Sequence, residues 1–176
     1  MSVVPEAKRL ASELIELSTR HNFAYWLAIG AVFRGWARSA SGDTAEGLGW
    51  IEDGIDDWRA TGAMVNVPYF LALKAEALYL AGRTSKALEA ISEAKGLVEK
   101  FEDREWCAEL HRLRGVFLAT IGADEAQIEA SFCEAMRIAK EQKSVSLEKR
   151  AEGTYAEYRG QKASASGGSG FRLPLC

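Results

Sequence analysis

The sequence predicts an all-α protein made of stacked helical hairpins, and three observations carry that expectation. Gly42, Gly82 and Gly122 stand 40 residues apart, twice in succession, each closing an apolar helical stretch. Seven residues before each glycine lies a small residue: Gly35, Ala75 and Gly115. Across 176 residues only Pro5, Pro68 and Pro174 interrupt, and the 48% apolar content leans on alanine and leucine, which favour helix. Periods of this length mark repeat architectures, in which each hairpin buries its apolar face only by stacking on its neighbours.

About eight helices follow, near 5–21, 23–41, 44–60, 66–81, 84–101, 104–121, 124–142 and 145–158. Pro5 and Pro68 suit first helical turns. The stretches AVFRGWARSASG, FLALKAEALYLAG and RLRGVFLATIG each run into a glycine, which takes the left-handed conformation of a helix end at no steric cost. Asp43, Thr84 and Asp124 are placed to cap the helices that restart there. Those helices carry apolar residues at Leu48, Ile51 and Ile55, at Leu88 and Ile91, and at Ile128 and Phe132. The small residue in the preceding helix lets the two backbones approach. The last helix puts Leu147, Ala151, Tyr155 and Tyr158 on one face.

With the helix before each glycine named A and the helix after it B, the chain opens on a lone B and closes on a lone A. Three full hairpins are thus flanked by two halves, an arrangement expected of a longer solenoid or of one completed by another chain. Residues 1–158 are expected to form the repeat domain. Residues 159–176, with four glycines and three serines, are expected to form a flexible tail.

The small residue midway in helix A, with Ala87 and Ala94 punctuating the clearest B helix, resembles the tetratricopeptide repeat (TPR). PYFLALKAEALYLAGRTSKALEAISEA is the best-matching unit; Gly47 and Gly54 replace the alanines in the first repeat. The 40-residue period exceeds the usual ~34. PYFLALKAEALYLAGR followed by EWCAELHRLRGVFLATIGAD is similar to the C-terminal repeat region of bacterial signalling regulators. In that group an adenylate or guanylate cyclase domain, or a DNA-binding domain, precedes an NTPase module. The resemblance covers roughly residues 10–150. It implies a right-handed superhelix and a scaffold for protein–protein interaction, not an enzyme, since no P-loop and no cyclase aspartates in a strand context are found here.

Composition narrows the partners. Net charge is −3, and the basic stretch 140–176 is interleaved with acids, so nucleic acid is not expected. No run approaches the ~20 apolar residues of a membrane span, and charges at Glu6, Lys8 and Arg9 leave no apolar signal region. The expected setting is the cytoplasm. Cys107, Cys133 and Cys176 have no metal spacing; the first two are read as small buried apolar residues. The acidic run Glu52, Asp53, Asp56 and Asp57 is read as a solvated face. His21 and His111 lack metal-ligand spacing and are assigned capping or packing roles. No cofactor and no metal are expected.

Aromatic residues recur along the helices, most of them core. In the resembled repeats the A helices line a groove where ligands bind. Counting from the small residue, the groove candidates are Trp36, Tyr69, Glu76, Tyr79, Glu109 and Arg112, with Ser39, Ala72 and Val116 beside them. Tyr, Trp and Arg are the types that anchor interfaces. The expected partner is an unidentified protein or peptide, with self-association through the open solenoid ends. A small-ligand sensor using the same groove is the alternative.

Overall fold

The computed structural model describes residues 4–164 and consists of eight helices: α1 (Val4–His21), α2 (Ala24–Ala40), α3 (Thr44–Ala60), α4 (Val67–Leu80), α5 (Thr84–Phe101), α6 (Cys107–Thr120), α7 (Glu125–Glu141) and α8 (Val145–Ser164). The described residues contain no strand. Helices α2 and α3, α4 and α5, and α6 and α7 pack as hairpins. The A helices α2, α4, α6 and α8 also touch in that order and form one continuous layer.

The turns within the hairpins share one bonding scheme. Gly42, Gly82 and Gly122 have φ of 106°, 72° and 69°. The Gly82 N–H bonds the Tyr79 carbonyl at 2.9 Å, and the Arg83 N–H reaches back to the Leu78 carbonyl at 2.8 Å. Gly42 with Asp43, and Gly122 with Ala123, repeat the pattern. This paired ending satisfies carbonyls that a helix otherwise leaves orphaned, and it requires a left-handed residue at the glycine position.

A second series of left-handed residues lies between repeats, at Asn22, Gly62, Glu102 and Lys143. Their spacing is 40, 40 and then 41, so one residue has been inserted in the last repeat. The N-cap positions Asp43, Arg83 and Asp124 locate the insertion in the turn between α6 and α7. The capping expectation holds only at Asp43, whose carboxylate accepts the Glu46 N–H at 3.4 Å. Thr84 lies inside α5, and Asp124 makes no side-chain cap bond, its backbone standing at ψ 133° against 75° for Asp43.

The first hairpin is the most tightly apposed. A Cβ built on Gly35 would lie 2.5 Å from the Gly47 carbonyl oxygen, and one on Gly54 would lie 2.8 Å from that of Ala28. Glycine at 47 and 54, a departure from alanine in sequence, is therefore what lets α2 and α3 meet backbone to backbone. In the third hairpin the space beside Gly115 is filled by the Phe132 ring.

The core is continuous along the stack. Trp58, Phe70, Phe117 and Phe132 are buried, and burying each such side chain contributes about 1.5–3 kcal/mol. Trp58 packs edge-on to Phe70 with centroids 5.2 Å apart and donates its indole N–H to the Val65 carbonyl at 3.0 Å.

Several expectations need correction. Helix α6 starts at Cys107, because residues 104–106 form a turn in which the Cys107 N–H bonds the Arg104 carbonyl. Helix α8 runs on to Ser164, so the expected boundary at 158 falls inside it; the rest of the expected tail, 165–176, lies outside the described residues. Cys133 is exposed, and Cys107 is only half-buried where it packs against the core, so neither is the fully buried apolar residue expected. Tyr25 and Trp26 remain partly exposed. The acidic run on α3, by contrast, is the solvated face expected of it: all four acids are exposed, with Glu52 paired to Lys74 at 2.9 Å. Among the described residues no group of His, Cys, Asp and Glu could hold a metal ion, and no helix is long and apolar enough to cross a membrane.

Candidate functional site

The A-helix layer encloses a pocket of about 230 Å³. Phe33 and Trp36 of α2, Tyr69, Ala72, Leu73 and Glu76 of α4, Glu109 and Leu113 of α6, Arg150 of α8 and Ala7 of α1 line it. The 40, 40, 41 spacing explains most of this list. Phe33, Leu73 and Leu113 are repeat equivalents, and so are Tyr69, Glu109 and Arg150. Two columns of equivalent positions thus build the walls.

Beneath the pocket runs a buried polar chain that joins all four A helices. The Trp36 indole donates to Glu76 Oε2 at 2.5 Å, and Arg112 Nη2 stands 3.5 Å from Glu76 Oε1. Arg112 grips Glu109 with two bonds, from Nε at 2.9 Å and Nη2 at 2.7 Å, and its Nη1 donates to Thr154 Oγ1 at 3.3 Å. Arg150 completes the chain from the rim, 3.4 Å from Glu109 Oε1. The Arg112 fork matches a carboxylate in plane, which a lysine cannot do.

Burial dominates the titration of this pocket. Burial first, then the charge of Glu109, pushes the Glu76 carboxyl up to about 7, against Arg112, the Trp36 hydrogen bond and Arg150. Burial and the same two carboxylates push Tyr69 up to about 12. Burial also acts to raise Glu109, but Arg112 and Arg150 overcome it and hold its carboxyl below the usual range. Tyr69 is fixed by stacking on Trp106, with centroids 3.9 Å apart and planes 19° off parallel, and it meets Phe33 at 6.1 Å.

Of the six groove candidates, Trp36, Tyr69, Glu76 and Glu109 line this pocket, and Arg112 lies directly behind it. Tyr79 does not join them; its ring packs on Phe117 with centroids 5.3 Å apart. Glu76, Glu109 and Arg112 are 3%, 4% and 1% exposed, so they sit between the helices and are not displayed on an open surface. Ser39 is buried with its hydroxyl on the Gly35 carbonyl, Ala72 lines the pocket, and Val116 is core. Sequence reading missed Phe33, Arg150 and Thr154. Extending the groove count to α8, with its inserted residue, reaches Arg150, the equivalent of Tyr69 and Glu109; Thr154 is the equivalent of Phe33 and Leu113, a column that count left out.

A larger cavity of about 400 Å³ lies on the other side of α6, between α5 and α7. Its charged residues include Lys95, Arg104, Glu134 and Arg137, and Arg137 is already held by Glu134 and Glu141. His111 is half-buried there and, chiefly through burial and then the nearby Lys95, is pushed down to about 4, so it stays neutral.

The architecture has solved counterparts. The chain superposes on PlcR of Bacillus thuringiensis, crystallised with the peptide PapR7 and DNA, with a TM-score of 0.66 and 16% identity over 92% of this chain and 54% of that one. It also superposes on the apo form of RapI, with a TM-score of 0.60 and 13% identity over 92% of this chain and 64% of that one. The fold is a TPR-like helical repeat. In sequence, it is 30% identical over 142 residues to an uncharacterized protein of Rhizobium meliloti (strain 1021); the match takes in 81% of this chain and spans only 14% of that protein's length. No family model matches the sequence.

Proposed function

We propose that this chain is a non-catalytic scaffold that binds a protein or peptide partner on its A-helix layer, as the repeat module of a bacterial signalling regulator. The observation that carries this reading is the pocket at Phe33, Trp36 and Tyr69, set on a rigid network that joins α2, α4, α6 and α8. At about 230 Å³ it falls below the range of about 300–1,000 Å³ of small-molecule sites and suits a single anchoring side chain. Aromatic anchors over a fixed base are the usual centre of a protein interface. The volume argues against the alternative of a small-ligand sensor in the groove.

PlcR, which shares the fold, is crystallised with the peptide PapR7, and that supports a peptide partner for this chain. The DNA of that complex is not extended to this chain, whose net charge is −3. The match to a small part of a much longer Rhizobium meliloti protein supports a module within a longer chain. Free thiols at Cys107 and Cys133 fit a reducing cytoplasm. Leu10 and Leu17, half-exposed on α1, offer an end face for self-association.

The test is selection of peptides from a random display library on the immobilised chain, repeated with Tyr69→Ala. Enriched peptides that bind wild type and lose the variant support the reading. Enrichment that is indifferent to Tyr69→Ala moves the site elsewhere, and a melting shift with metabolites but none with peptides favours the sensor.

A further inference from the structure

We infer that the cavity between α5, α6 and α7 binds a small organic carboxylate, its charge held by Lys95 and its apolar body lying on Val98, Leu110 and Ile138. The site lies across α6 from the A-layer pocket and does not depend on a partner binding there. At about 400 Å³ it falls within the range of about 300–1,000 Å³ of small-molecule sites.

The preceding repeat shows that this space need not exist. A shift of 40 residues carries α3 and α4 onto α5 and α6. It carries the buried Ile55, Trp58, Val67 and Leu71 onto Lys95, Val98, Cys107 and His111. In the first seam the Trp58 ring packs on Phe70 with centroids 5.2 Å apart and on Tyr25 at 4.0 Å. In the second, valine stands for that tryptophan and Leu110 for Phe70, while lysine and histidine stand where isoleucine and leucine close the first. Giving up apolar burial and half-burying a lysine both weaken the fold; a binding site accounts for them and packing does not.

The charges select a single negative group. Arg137 is held by Glu134 and Glu141 on its own helix. Lys95, Arg104 and Glu99 form no ion pair among the described residues; Arg104 and Glu99 are exposed, whereas Lys95 is half-buried. Lys95 is therefore the unpaired charge held within the cavity. Around His111, Lys95 of α5, Arg137 of α7 and Arg114 of its own helix outweigh Glu134 of α7, so the wall it forms faces a positive field. Its neutral imidazole can donate one hydrogen bond to a carboxylate oxygen. A phosphate dianion would find one half-buried cation and the acids Glu99, Glu134 and Glu141 in the same lining. The apolar floor of Val98, Leu110 and Ile138 suits a hydrocarbon or aromatic body.

The test is calorimetric titration of the whole chain with hexanoate, 4-phenylbutyrate and indole-3-acetate, each beside its primary amide and the amine of matched length, and with inorganic phosphate. At least one carboxylate is expected to bind, about tenfold more tightly than its amide. Lys95→Ile, which copies the first repeat, should remove that preference and raise the melting temperature. Proton NMR supplies a second readout: the His111 ring, which titrates at about 4 in the free chain, should titrate higher with the carboxylate bound. Binding by none of the three carboxylates, an amide or amine bound as tightly, or a preference for phosphate overturns the assignment. So does a carboxylate preference that survives Lys95→Ile, or a His111 titration that the bound carboxylate leaves unmoved. None of these results touches the A-layer reading, which the peptide selection tests.

Discussion

Trp36 and Glu76 are 40 residues apart in the chain, occupy the same position in consecutive repeats, and meet at 2.5 Å through the indole N–H and a carboxylate oxygen. The repeat that stacks the hairpins thus also brings an acid on one A helix against a donor on the previous one. Each stands directly after the small residue of its helix, Gly35 or Ala75, where the A and B backbones are closest. Packing and polar network are therefore set by the same register.

The Glu76 carboxyl gives that contact a pH dependence. It is faced by Trp36 from α2, Glu109 and Arg112 from α6 and Arg150 from α8, and it is pushed up to about 7 from 4.5. A raised folded-state value means that the folded chain holds the proton more tightly than the unfolded one. The resulting stability is fully present below about pH 4.5 and is lost as pH rises through 7, with an amplitude on the order of 3 kcal/mol. Thermal unfolding between pH 5 and pH 8 should show a steeper fall for wild type than for Glu76→Gln, which keeps an acceptor for Trp36 without the charge. Parallel profiles would remove Glu76 as the cause.

His111 works in the opposite direction. Burial, then Lys95, with Arg114 and Arg137 adding and Glu134 opposing, lowers it to about 4 from 6.5. The folded chain then resists the proton that the unfolded chain accepts, so stability is present above about pH 6.5 and is lost as pH falls towards 4. His111→Gln should flatten the acid side of the stability profile and leave the profile above pH 7 unchanged. A variant whose acid limb matches wild type contradicts this.

How far the sequence disclosed this molecule depended on whether a position needed an unusual residue. The hairpin turns were legible because Gly42, Gly82 and Gly122 all take positive φ, where glycine is cheapest. At the junctions between repeats Asn22, Glu102 and Lys143 adopt the same left-handed backbone without being glycine, so no glycine marks those turns, although the expected helix ends at 21, 60 and 101 match the structure. The residue inserted before α8 was legible and placed the small residue of the last helix near Ala156, but the groove count stopped at α6, and Arg150 and Thr154 were missed. Burial of Arg112 was hidden for another reason: hydropathy assigns arginine to the surface, and only a bidentate partner three residues earlier, with a hydroxyl 42 residues later, lets it go inside.

Two glycines of α3, two residues apart, should respond to alanine with opposite signs. A Cβ at Gly47 meets the Gly35 carbonyl oxygen at 2.5 Å, backbone that cannot yield without separating α2 from α3. Gly47→Ala should cost about 1–3 kcal/mol, the usual penalty of overpacking. At Gly49 nothing lies within 4 Å, so alanine only restores helix propensity and should add up to about 1 kcal/mol. Urea midpoints of the two variants decide it: a lower midpoint for Gly49→Ala, or none for Gly47→Ala, would refute the backbone contact.

Arg112 is the residue on which the polar network depends for its charge balance. It is essentially fully buried, bonded twice to Glu109 and once to Thr154, with Glu76 at 3.5 Å. Arg112→Met should cost about 3–5 kcal/mol, because it strips buried Glu109 of its two-bond partner and leaves it beside Glu76 with the rim residue Arg150 at 3.4 Å. Adding Glu109→Gln to that variant removes the stranded charge, so the double variant should be more stable than Arg112→Met alone. Arg112→Lys should fall between wild type and Arg112→Met, since a point charge restores the attraction but not the two-bond fork. Equilibrium urea unfolding of wild type, both single variants and the double variant gives the coupling directly. If the costs of Arg112→Met and Glu109→Gln simply add, the ion pair is no more than a neighbouring contact, and the rigid base assigned to the pocket must be sought in its apolar walls.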